Sequence, residues 1–256
     1  MKRAAVLVVA ASLAFAKNAS AEEARSFGER GQLLLTADRL LPLVSFTTQT
    51  VTANDGAVTT ETTDRGGSFA FFVGREPGLS PIHTVPRLTA DVTIFRHVTV
   101  GTAFVAAFGL ASAHIERTTP AGQPQTTREN DAPSATLFGF APRIGYILPL
   151  GAHVALWGRG GVAFYSVQSS SATTTNAGAT TTSTEKDTVF SLDLDPQLVW
   201  LPVPHLLLHV GPLVNFPLSG SHETAFAQGS VSQSRSDNLS VFHVGLSAAL
   251  GGWFDL

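Results

Sequence analysis

The residues from Val241 to Leu256 read VFHVGLSAALGGWFDL. The even positions are Phe242, Val244, Leu246, Ala248, Leu250, Gly252, Phe254 and Leu256; the odd ones include His243, Gly245, Ser247, Gly251, Trp253 and Asp255. A strand sends successive side chains to opposite faces, so one face is apolar and the other is mostly small or polar.

The same split recurs along the chain. Leu88, Ala90, Val92 and Ile94 oppose Arg87, Thr89, Asp91 and Thr93. Phe138, Phe140, Ile144 and Tyr146 oppose Gly139, Ala141, Arg143 and Gly145. Phe190, Leu192, Leu194 and Leu198 oppose Ser191, Asp193, Asp195 and Gln197. Between Gln32 and Phe46 the alternation slips, and a bulge near Arg39 accounts for it, because one extra residue exchanges the faces. The runs exceed the ~5–6 residues usual in soluble strands and reach the ~9–11 needed to cross a bilayer.

Composition decides which face meets lipid. Of 256 residues, 44% are hydrophobic and 14% charged, against about 25% charged in an average soluble domain. The lysines are Lys2, Lys17 and Lys186. A small, lysine-free face is a poor coat against water and a good lining for a narrow lumen. A transmembrane barrel is therefore expected, with a soluble lipocalin-like periplasmic binding barrel as the inverse alternative. The absence of Cys excludes disulfides and thiol chemistry, and without a basic patch no nucleic-acid partner is expected.

Met1-Lys2-Arg3, the apolar run Ala4 to Ala16 and Ala19-Ser20-Ala21 form the three parts of a secretory signal peptide. Cleavage after Ala21 assigns 1–21 to the signal and 22–256 to the barrel domain. Removing Lys2, Arg3 and Lys17 takes the net charge from -3 to -6.

Connections alternate between tight (Arg96-His97, Pro149-Leu150-Gly151-Ala152, Pro202-Val203-Pro204) and long and polar (113–133, 169–186, 219–238). That rhythm predicts an all-β, eight-stranded antiparallel up-and-down barrel with short periplasmic turns. The expected strands are 31–48, 86–96, 97–113, 135–148, 153–168, 187–201, 205–218 and 239–255. Segment 68–74 would make an odd ninth, so it is assigned to a first long loop, 49–85, as a wall extension or a plug. Phe46, Phe108, Phe138, Phe164, Phe190, Phe216 and Phe242 fall near the outer strand ends, and Tyr146, Trp200 and Phe254 near the inner ends. Together they predict two aromatic girdles.

With Pro142-Arg143-Ile144-Gly145-Tyr146, Leu156-Trp157-Gly158-Arg159-Gly160-Gly161 and the closing Trp-Phe-Asp-Leu, the chain resembles small bacterial outer-membrane barrels of the OmpA, OmpX and OmpW type. The resemblance implies a monomer in the bacterial outer membrane, in contact with lipid and lipopolysaccharide. It also implies insertion by the barrel-assembly machinery through the last strand. Members usually end in Phe; here Leu256 is last and Phe254 lies two residues before it.

Inward parity collects Arg87, Asp91, Arg143, Arg159, Asp193 and Asp195 into an expected salt-bridge network, since unpaired buried charges are costly. His97, His153 and His205 follow tight turns and are expected as half-solvated rim imidazoles. No metal-ligand cluster, catalytic set or cofactor motif is expected. The favoured function is a non-catalytic outer-membrane barrel serving envelope structure, surface interaction or passage of small solutes. The rival is a lipid A deacylase-like enzyme, with Ser221, His222, Glu223 and His243 as its candidates. A third idea, an anchor for a periplasmic module, is not expected.

Overall fold

The computed structural model describes residues 26–54, 59–69, 81–83, 85–108, 112–118, 126–132, 134–174 and 180–256. The expected signal peptide lies outside the described residues. The strands are β1 (Gln32–Asn54), β2 (Thr59–Phe69), β3 (Arg87–Phe95), β4 (Val98–Phe108), β5 (Ser112–Thr118) and β6 (Thr126–Ala132). They continue with β7 (Ser134–Pro149), β8 (Val154–Thr174), β9 (Thr180–Val203), β10 (Leu206–Gln228) and β11 (Val231–Asp255).

Antiparallel ladders run β1-β3-β4-β7-β8-β9-β10-β11, and β11 pairs back onto β1 to close the ring. This is the eight-strand circuit expected. β2 pairs with the far end of β1, over Val44–Asn54, while β3 takes the near end, over Leu33–Asp38. β5 and β6 form a separate hairpin.

The faces are sorted inside out relative to a soluble protein. Leu88, Ile144, Phe108, Phe138, Leu198 and Leu250 are exposed, whereas Arg87, Asp91, Arg143 and Arg159 are buried. A lipocalin-like arrangement would reverse both sets. The chain is a transmembrane β-barrel. All ten girdle candidates lie on the outer surface. Phe164 faces Phe190 and Phe140 across β8, and Tyr146 faces Val98.

The long polar segments depart from expectation. Residues 169–174, 180–186 and 219–238 are not loops but continuations of β8–β11, with a turn at Gly229-Ser230 between β10 and β11. Segment 113–133 carries the β5–β6 hairpin. Thr and Ser suit a pleated backbone, yet with water on both faces they show no hydrophobic alternation for a sequence reading to detect. At ~3.4 Å per residue the 23 residues of β10 run to roughly 75 Å, about twice what a tilted membrane crossing uses. Ser68 and Phe69 extend the wall as the end of β2; residues 70–74 lie outside the described residues.

At the tight-turn end one hydrogen-bonding device recurs. His97 Nδ1 donates to the Ile147 carbonyl at 2.8 Å, His153 Nδ1 to Leu201 at 3.1 Å and His205 Nδ1 to Trp253 at 3.0 Å. Each of these residues also accepts the backbone N–H of the residue its ring binds. His97 and His205 adopt left-handed φ of 69° and 65° to close their turns. The imidazoles are therefore clips between neighbouring strands. We expect His97→Ala to lower barrel stability by about 1 kcal/mol, read as a reduced urea midpoint for loss of the compact form on unheated SDS gels. An unchanged midpoint would remove the clip from the account.

Candidate functional site: the layered lumen

The inner face is stacked in three layers. At the tight-turn end lies an apolar floor: Leu34, Ile147, Trp157, Val199, Leu207 and Trp253, closed from below by Phe27. Phe27 packs edge-on against Trp157 and Trp253, at 6.4 and 5.4 Å between ring centroids. Toward the other end a second apolar group, including Val105, Leu137, Tyr165, Val189, Leu239 and Val241, surrounds Ile82.

Between them sits a layer of ions. The six residues expected from parity are all buried there, together with Asp38 and Arg39, which the sequence reading missed. Four arginines thus meet four aspartates. Asp38 is the hub: its Oδ2 lies 2.7 Å from Arg143, 3.1 Å from Arg159 and 3.7 Å from Arg87. Arg143 also holds Asp91 through two hydrogen bonds, and Arg159 holds Asp195 at 2.6 Å. Arg87 crosses the lumen to Asp193 and Asp195. Gln197 and Asn215 donate to Asp195 and Asp193. Trp157 joins floor to ions, its indole N–H on Thr99 and its ring 4.6 Å from the Arg159 guanidinium.

The bulge near Arg39 explains how Asp38 and Arg39 both come inside. Arg39 has φ 58°, and the β1–β11 register shifts between Ala37 and Leu41. Inward residues are Gln32, Leu34, Thr36 and Asp38 before it, then Arg39, Ser45 and Thr47 after it. Consecutive charges on one strand cannot share a face by alternation, so a period-two count places one of them outside. Only the slip in the pattern marked them. On β8, a Cβ on Gly161 would lie 2.1 Å from the Pro142 carbonyl and 2.9 Å from Arg143 Cβ. Glycine there lets Arg143 lie flat across the wall.

The rival catalytic set is not assembled. His222 bonds Asp187 at 2.6 Å on one face of β10, and Glu223 pairs with Lys186 at 3.7 Å on the other. Ser221 stands opposite Thr188 and Asn238. His243 is buried in the lumen against Thr47 Oγ1. Among the described residues no group of three or more His, Asp or Glu is placed to hold a metal.

No family model matches the chain, and no curated protein does. Solved structures with similarity include Ail, the attachment invasion locus protein of Yersinia pestis, at 13% identity and a TM-score of 0.32. That match spans 88% of this chain and all of the other. The outer-membrane protein AlkL matches at 10% identity and 0.41, over 94% and 97% of the two chains. A variant of the monoaromatic hydrocarbon channel TodX matches at 6% and 0.28, over 90% and 92%. The fold reading rests on this chain's own ladders and faces.

Replacing Asp38 by Ala takes the shared carboxylate from three arginines and leaves the buried layer with an uncompensated positive charge. We expect a loss of about 3–5 kcal/mol, seen as a barrel that refolds poorly and loses its compact gel form at lower temperature. Arg65→Ala, on exposed β2, serves as the control and should stay within about 0.5 kcal/mol.

Proposed function

We propose that the protein is a non-catalytic barrel of the bacterial outer membrane, closed to ions, that works through the wall it raises outside. The tight-turn end then faces the periplasm and the extended ends of β8–β11 face the exterior. The observation that carries this is the lumen. Among the described residues, Arg87, Arg143, Arg159, Asp193 and Asp195 line a void of about 10 Å³, room for about one water. The Phe27–Trp157–Trp253 floor lies beneath it. Eight strands leave a bore that side chains can fill, and these fill it.

A neutral, filled core favours a structural and surface-interaction role over solute passage. Lipid and lipopolysaccharide are the proposed surroundings, and the last strand is the proposed handle for the insertion machinery. The alternating faces of Ser221, His222 and Glu223 speak against the lipid-modifying enzyme. The direct test is planar-bilayer recording of the refolded protein at neutral pH. We expect no stepwise conductance above the bare bilayer; reproducible unitary steps would overturn the closed-barrel reading.

A further inference from the structure

The short turn Pro81–His83 lies inside the barrel beside the upper apolar group, with Ile82 and His83 buried. Ile82 packs in the upper apolar group. The His83 carbonyl accepts a hydrogen bond from Arg39 at 2.9 Å, so the strained bulge residue is also the latch on this turn. The His83 ring stacks on His243, 5.5 Å between centroids and 24° between planes, and meets Tyr165 edge-on. Both of its ring nitrogens are buried without a hydrogen-bond partner.

Among the described residues, the groups around that ring come from several strands. β1 offers Arg39, β3 Arg87, β8 Tyr165 and β11 His243. β9 offers Asp193, whose carboxylate is shared by Arg39, Arg87, Ser191 and Asn215. A proton on His83 would place a cation against two arginines and a second imidazole, with the Asp193 carboxylate already engaged by those arginines. We propose that Pro81–His83 is an acid-released stopper: protonation of His83 drives the turn out of the lumen and opens a chamber at the end away from the tight turns. Arg39, Arg87, Tyr165 and His243 line that chamber, while the ionic layer and floor beneath it stay shut. The device adds to the closed-barrel reading without depending on which side of the membrane the mouth faces.

The sign follows from linkage. Burial, then Arg39 and Arg87, hold the docked His83 well below its ordinary value of 6.5, so the docked turn binds fewer protons than the released one. The His83 contribution to docking is at its full value above about pH 6.5 and weakens as pH falls, by up to about tenfold per unit until the docked ring itself titrates.

The chain has no cysteine, so a single nitroxide on Val85→Cys reports the turn cleanly. Collision with a neutral aqueous relaxant is measured in lipid bilayers at pH 7.5 and pH 4.5, with heat-modifiable migration checked for each variant. We expect low accessibility at pH 7.5 and a reversible rise at pH 4.5, abolished in His83→Gln, whose side chain cannot take the proton. No rise in the Val85→Cys protein would overturn the proposal, and so would an equal rise in the His83→Gln background. Conductance recorded at pH 4.5 separates the two readings. Release without current supports the stopper and leaves the closed barrel intact, whereas release with current overturns the closed lower layers.

Discussion

Asp38 receives Arg143 and Arg159, and with Asp91, Asp193, Asp195, Arg39 and Arg87 it completes a layer in which four positive and four negative groups cancel. The rest of the barrel depends on that cancellation. Lipid does not push apolar side chains inward as water would, so burial of Leu or Phe cannot by itself tie the wall together across the lumen. Charge can. A one-residue slip of β7 or β8 would turn an arginine from this layer into the bilayer, at a cost of about 2–4 kcal/mol near the midplane, and strand an aspartate behind it. The contacts join strands that are not neighbours: β3 reaches β9 across the lumen, and β7 and β8 both reach β1. They therefore tie the ring across its diameter as well as around its wall.

The layers above and below follow from the same geometry. Trp157 touches both floor and ions, so the apolar seal at the tight-turn end is positioned by the arginine it packs against. Arg39 faces the other way, where its guanidinium holds the His83 carbonyl of the Pro81–His83 turn. A left-handed arginine costs on the order of 1–3 kcal/mol, and what it achieves here is two inward charges from consecutive residues.

The spanning part of the fold was legible because lipid imposes the pattern. Ile144 and Leu198 had to alternate with Arg143 and Gln197, and tight turns had to alternate with long ones. The extension was not legible. Where Thr184 and Ser234 meet water on both faces, no constraint writes a period into the sequence, and the strands there rest on ladder hydrogen bonds and β-branched propensity. Of the ionic site, six members followed from parity alone. Asp38 and Arg39 did not, because the bulge that brings them in is the one place where parity fails. Nor did His83, whose placement comes from a loop that no periodicity governs.

The central claim is that bulky side chains face lipid while the ions occupy the axis. Single nitroxides at Ile144, Leu192 and Val210, all exposed on the outer surface, test it in reconstituted bilayers. The account predicts frequent collision with dissolved oxygen and little with an aqueous nickel complex at all three. Accessibility to the aqueous complex with shielding from oxygen would show the barrel to be the other way round.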